Sequence, residues 1–138
     1  MVMRALLALS LLIAGCTSGS LPTPDPQQAW VELDALPGHH LSAQRLDDQR
    51  VSDGRYFQLT PGAHDLRMRY QYESQLGTDA FGEPRYVTCE LRLRYDAFAA
   101  GQRYRLKARP LALKAQAWLY DGQGEVLARG EVLRCGPI

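Results

Sequence analysis

The chain has 138 residues, 46% of them hydrophobic and 22% charged, with a formal net charge of +1. That length is one domain's worth, and the mix of apolar and charged residues supports a packed core and argues against wholesale disorder. A charge this close to zero excludes a general nucleic-acid binder, which needs a clear basic excess to displace counterions from phosphates.

At the N-terminus, Arg4 precedes an apolar run from Ala5 to Ala14, too short for the roughly 20 residues that span a bilayer core. One cation followed by a short apolar stretch is the layout of an export signal. The run closes on Leu12-Ile13-Ala14-Gly15-Cys16, which resembles the lipobox of bacterial lipoproteins. The resemblance implies that the Cys16 thiol receives a diacylglyceryl group, that a membrane peptidase cuts between Gly15 and Cys16, and that the freed amine is acylated with a fatty acid such as palmitate. Residues 1–15 are then a signal peptide, and the acyl chains on Cys16 fix the protein to a lipid membrane, since two or three chains hold stably where one holds only reversibly. Loss of Arg4 with the signal leaves 15 basic against 15 acidic side chains. Thr17 stands where an Asp would, in lipoproteins of the enterobacterial type, signal inner-membrane retention. The resemblance therefore implies the outer membrane with the domain facing the periplasm; the inner membrane and the cell surface are the alternatives.

From Thr17 to Gln28 the chain is small, polar and proline-rich, without hydrophobic periodicity. Residues 16–28 read as a lipidated terminus and flexible tether, and 29–138 as one folded domain of about 110 residues. Within it, apolar residues alternate with polar ones between Gly, Pro and Asp clusters, the pattern of half-buried strands. In chain order the predicted strands are Ala29 to Leu33, Leu41 to Leu46, Arg55 to Leu59, His64 to Tyr72, Arg85 to Tyr95, Gln102 to Ala108, Ala112 to Tyr120 and Glu125 to Val132. In the fourth, Leu66, Met68, Tyr70 and Tyr72 oppose Asp65, Arg67, Arg69 and Gln71; in the fifth, Val87, Cys89, Leu91, Leu93 and Tyr95 oppose Thr88, Glu90, Arg92 and Arg94. About eight strands with short connections predict an all-β fold, a single small antiparallel β-sandwich or, alternatively, a β-barrel.

Thr60-Pro61-Gly62 offers a fixed φ followed by a residue free to take φ > 0, and Asp121-Gly122-Gln123-Gly124 can close a tight hairpin. The irregular stretch Glu73 to Pro84, with Gly77 and Gly82, is expected to project as a loop. Around Pro61-Gly62-Ala63-His64 and Leu66, the order strand, Pro-Gly turn, His, strand resembles the hairpin of PEGA-type β-sandwich modules. That resemblance implies an envelope adaptor and no catalytic residues.

Cys89 falls on the inward face of its strand and Cys135 near the C-terminus, in a compartment that permits disulfides. They are expected to pair, with two free thiols as the alternative. His39 and His40 follow Pro37-Gly38 in a predicted turn, where adjacent residues cannot easily share a metal; His64 is read as a turn-stabilising hydrogen-bonder. No metal site and no cofactor are expected. The chain contains no G-x-S-x-G, no H-E-x-x-H and no phosphate-cradling glycine loop, and Asp47-Asp48 reads as a hairpin turn in which Asp bonds its own backbone. A non-enzyme is expected.

Charge is segregated. Between Arg85 and Lys114, Arg85, Arg92, Arg94, Arg103, Arg105, Lys107, Arg109 and Lys114 face only Glu90 and Asp96, whereas the segment from Cys16 to Gly54 is net acidic. If the cationic strands are neighbours, Arg92, Arg94, Arg103 and Arg105 make one positive face suited to an acidic partner such as lipid A phosphates, peptidoglycan stems or an acidic envelope protein. A charged face that only keeps the sheet soluble is the plainer alternative. The function these features point to is a membrane-anchored, non-enzymatic lipoprotein that binds or scaffolds an envelope component; the alternative is a lipid-anchored inhibitor of a cell-wall hydrolase or a small-ligand-binding module.

Overall fold

The computed structural model describes residues 19–78 and 80–137. The lipobox, with Gly15 and Cys16, lies outside these residues. Ten strands follow one another: β1 Ala29–Asp34, β2 His40–Leu46, β3 Gln49–Arg50, β4 Tyr56–Leu59, β5 Gly62–Thr78, β6 Pro84–Phe98, β7 Arg103–Leu111, β8 Lys114–Tyr120, β9 Val126–Arg129 and β10 Glu131–Pro137. They form two five-stranded sheets, β4-β1-β7-β8-β9 (sheet A) and β10-β6-β5-β2-β3 (sheet B). The sheets do not close on each other, so the fold is a sandwich rather than a barrel.

Period-two alternation builds the core. Leu66, Met68, Tyr70 and Tyr72 of β5 and Val87, Cys89, Leu91 and Leu93 of β6 are buried, and they meet Val31, Phe57, Leu59, Leu106, Ala108, Ala117 and Leu119 from sheet A. A side chain such as Leu106, fully buried here, contributes about 1.5–3 kcal/mol of transfer free energy.

The structure departs from the sequence reading at identifiable points. All neighbouring strands pair antiparallel except β1 and β7, which run parallel, with Val31 opposite Tyr104 and Leu33 opposite Leu106. The Thr60-Pro61-Gly62 turn is not a hairpin: Gly62 does take φ +114°, but β4 belongs to sheet A and β5 to sheet B, so the turn carries the chain between sheets. Glu73 to Pro84 is not a plain loop. β5 continues to Thr78 and β6 begins at Pro84, with Glu73 opposite Tyr86, Thr78 opposite Pro84 and a register shift between them that takes up Gly77 at φ +100°. Ala112 lies in the β7–β8 turn at φ +52° rather than in a strand.

The last predicted strand is divided at Gly130, where the chain leaves sheet A for sheet B. The Gly130 amide donates to the Ala117 carbonyl at 2.8 Å, and a Cβ at this position would fall 3.0 Å from the Ala117 side chain. β10 then pairs with β6 and sets Cys135 directly opposite Cys89, where the expected disulfide is formed.

Residues Gly19 to Gln28 form no strand, yet they are docked rather than free. The Gly101 amide donates to Gln28 O at 2.9 Å, the Asp25 amide to Gln58 Oε1 at 3.1 Å, and the Arg55 guanidinium to Gly19 O at 2.6 Å. The segment thus runs back from Ala29 along β4 to Arg55.

Candidate functional site

The four arginines expected to share a face do not. Arg92 and Arg94 lie on β6 in sheet B, Arg103 and Arg105 on β7 in sheet A, and the sheets present their outer faces in opposite directions. Sequence adjacency of β6 and β7 misled here because the connection between them crosses the sandwich. Arg105 pairs with Glu32 at 3.4 Å, and Lys107 lies 5.3 Å over the Tyr120 ring. These groups, with Arg103 and Asp121, line a shallow groove of about 540 Å³ on sheet A.

The concentrated cationic surface is on sheet B and draws on strands outside the Arg85 to Lys114 segment. Cross-strand register places Arg50 of β3 opposite Arg45 of β2, Arg45 opposite Arg67 of β5, and Arg67 opposite Arg92 of β6. Four arginines therefore stand in one row across four adjacent strands, with Glu131 of β10 at its end. Like charges directly opposite one another destabilise a sheet, so this row is an arrangement that folding alone does not favour. One row along, Ser42, Arg69, Glu90 and Arg134 stand in register or near it. An open groove of about 430 Å³ runs between the rows, lined by Arg45, Arg50, Arg67 and Arg69 with Asp48 and Glu90. Sequence reasoning had the signal for this site in Arg67 and Arg69, both assigned to the outward face, but not the strand order that adds Arg45 and Arg50.

The acids of this face are committed to particular cations. Asp65 accepts hydrogen bonds from the Arg92 guanidinium, at 2.8 Å from Nε and closer still from the second nitrogen, and from Arg94 at 3.4 Å. The Arg92 hydrogen bond holds the Asp65 carboxyl below its ordinary range. Glu90 accepts from Arg134 at 2.9 Å, which likewise holds its carboxyl low, helped by the charges of Arg69 and Arg67. Arg50, Arg67 and Arg69 form no salt bridge among the described residues. Their guanidinium groups are the ones available to an incoming anion, and Arg presents paired donors to carboxylate or phosphate.

His39 and His64 are placed as struts, whereas His40 is exposed at the start of β2. His64 Nε2 lies 2.7 Å from Thr60 O and Nδ1 lies 2.5 Å from Asp47 Oδ2, so the residue ties the sheet-crossing turn to the β2–β3 turn, as expected of a turn-stabilising bond. Asp47 and Asp48 do form that turn, both at positive φ, but the Asp47 carboxylate reaches across to the Asp65 amide at 2.8 Å rather than to its own backbone. Asp47, His64 and Thr60 have the connectivity of a nucleophilic triad, Thr60 Oγ1 lying 3.2 Å from Nε2. A nitrogen that donates to the Thr60 carbonyl has no lone pair left to take the hydroxyl proton, so the arrangement is not a working base. His39 Nδ1 meets the Tyr70 hydroxyl at 2.5 Å, and burial pushes that hydroxyl up to about 12. Among the described residues, no group of three or more His, Cys, Asp or Glu side chains is placed to hold a metal ion.

The fold and this face define a small β-sandwich with an arginine-lined outer sheet. Comparison with protein-family models, with curated proteins and with solved structures finds no match.

Proposed function

We propose that the chain is a membrane-anchored, non-enzymatic envelope protein whose sandwich binds or scaffolds an acidic envelope component on the outer face of sheet B. Anchoring is the reading of the lipobox at Cys16. The observation that carries the binding function is the in-register row Arg50, Arg45, Arg67 and Arg92. A row of facing cations is relieved when an anion bridges it. The partner is accordingly phosphate- or carboxylate-rich: lipid A, peptidoglycan stems, or an acidic protein segment. A flat sheet face with a shallow groove suits an extended or surface-displayed ligand better than an enclosed small molecule.

The test uses the processed protein with purified peptidoglycan and, separately, with vesicles with and without lipid A, at low and high salt. Binding is expected to weaken as salt rises and to be lost in an Arg45→Gln/Arg67→Gln/Arg69→Gln variant. Binding indifferent to both, or absent from both materials and from acidic envelope proteins recovered by cross-linking, overturns the proposal. Labelled fatty acid entering the protein but not a Cys16→Ser variant tests the anchor separately.

A further inference from the structure

Strand directions sort the connections between the two ends of the sandwich. The β1–β2, β5–β6 and β7–β8 connections share one end: the Tyr72 hydroxyl donates to Ala112 O at 3.0 Å, and the His39 ring stacks on Tyr72 at 5.5 Å. The β2–β3, β4–β5, β6–β7 and β8–β9 turns lie at the other. Exposed apolar side chains are divided unequally between them. Of the ten exposed large hydrophobic residues among the described residues, Leu36, Leu76, Phe81, Tyr86, Leu111 and Leu113 belong to the first end, whereas of these ten Val126 alone lies beside the turns of the second. Phe81 is 90% exposed, Leu76 61% and Tyr86 54%, and the β5–β6 ribbon that bears them extends past the ends of its neighbours β2 and β10, which stop opposite Gln71 and Val87.

Exposed aromatic and aliphatic side chains gathered on a protruding ribbon mark an interaction site rather than ordinary surface. A protruding aromatic and aliphatic tip has the shape of an inserting group, not of a receiving groove, and Phe and Tyr beside Arg85 and Lys114 match the layered chemistry of a membrane interface. Glu73 and Glu83 share this end, so charge supplies little net pull and the attraction is apolar. The docked N-terminal segment points the same way. It leaves Ala29, which is opposite Leu59, and follows β4 past Tyr56 to Arg55, travelling toward the apolar end. Only Thr17 and Ser18 separate the lipid cysteine Cys16 from Gly19, a reach of about 10 Å.

We infer that the apolar end is a membrane-insertion face, the tip of the β5–β6 ribbon resting in the interfacial layer of the bilayer that holds the anchor. This rests on the anchoring reading of Cys16 and adds which part of the domain meets the lipid. The strands then stand on the membrane, and the arginine rows of sheet B look sideways, toward what lies beside the bilayer.

The experiment places an indole at Phe81→Trp and, as control, at Gln123→Trp in the β8–β9 turn of the opposite end. Each full-length processed protein is reconstituted in phosphatidylcholine vesicles with brominated or plain acyl chains and compared with the parent, which carries only Trp30 and Trp118. The first indole is expected to be quenched by bromolipid and blue-shifted, and the second to be unaffected. A protein that carries acyl chains by mass and floats with vesicles, yet shows no more quenching at the first position than at the second, overturns the insertion face and leaves the anchor standing. Shielding of the first indole from an aqueous quencher in native envelopes without bromolipid quenching assigns this end to a protein partner and also overturns it. A protein without acyl chains whose first indole is still quenched on added vesicles removes the anchor and retains the insertion face.

Discussion

Arg45 and Arg67 stand directly opposite each other on β2 and β5, and each has a further arginine, Arg50 and Arg92, on its other side. Facing like charges are expected to cost about 0.2–1 kcal/mol per pair. Replacing Arg67 by Gln should therefore raise the thermal midpoint at low salt while weakening binding of an acidic partner, and the gain in stability should shrink as salt screens the row. Melting curves of Arg67→Gln and parent protein across ionic strength check this. A variant less stable than the parent at every salt concentration would mean that the row is not repulsive and that the binding argument has lost its physical basis.

The same face fixes how stability responds to acid. Asp65 and Glu90 have carboxyls held below their ordinary range by hydrogen bonds from Arg92 and Arg134. In acid the unfolded chain therefore binds more protons than the folded one. The stabilisation is fully present above the unfolded carboxylate values near 4 and is lost as pH falls through the lowered folded values. Asp65 should dominate, being three-quarters shielded and tied to two arginines, while the more exposed Glu90 pair contributes less. Asp65→Asn is expected to cost about 1–2 kcal/mol at neutral pH and to flatten the fall of the thermal midpoint below about pH 4. An unchanged acid limb in that variant would remove Asp65 from the account.

Cys89 and Cys135 are cross-strand partners separated by 46 residues. In the chain-entropy model, a bridge closing a loop of that length contributes roughly 4 kcal/mol. Non-reducing peptide mapping of the exported protein should link the two cysteine peptides. A Cys89→Ala/Cys135→Ala variant should melt well below the parent without losing its strand content. Equal melting of variant and parent would show that β10 is held by pairing and packing alone.

How far the residues announced this architecture varies with the kind of information each element carries. Val87 to Tyr95 and Leu66 to Tyr72 were legible because one face is core and one is water, so alternation reports both strand and side. The β5–β6 extension was not legible: beyond Tyr72 the ribbon is exposed on both faces apart from Ser74, and without burial there is no alternation to read. The arginine site was half legible for a different reason. Arg67 and Arg69 announced an outward face, but whether Arg92 neighbours Arg67 or Arg105 depends on strand order. That order is set by long-range packing and by crossings at Gly62 and Gly130 that leave only a weak local mark.

Gly130 offers the sharpest test of that crossing. Its amide is bonded to Ala117 O, and an added Cβ would meet the Ala117 side chain at 3.0 Å and the backbone oxygens of Ala117 and Arg92 at 3.5 Å. Ala117 is itself buried in the core, so it has little room to retreat, and the two oxygens belong to strands of different sheets. A branched side chain here must either push β8 from β6 or lift the chain off both. Gly130→Val is therefore expected to destabilise by about 1–3 kcal/mol through overpacking, and to slow formation of the Cys89–Cys135 bridge during refolding, because β10 reaches β6 only through this step. Pairing Gly130→Val with Ala117→Gly, which removes the methyl in the way, should recover part of the loss. Denaturant melts of the two single variants and the double variant give the coupling directly, and strictly additive losses would show that contact with Ala117 is not what makes glycine necessary there.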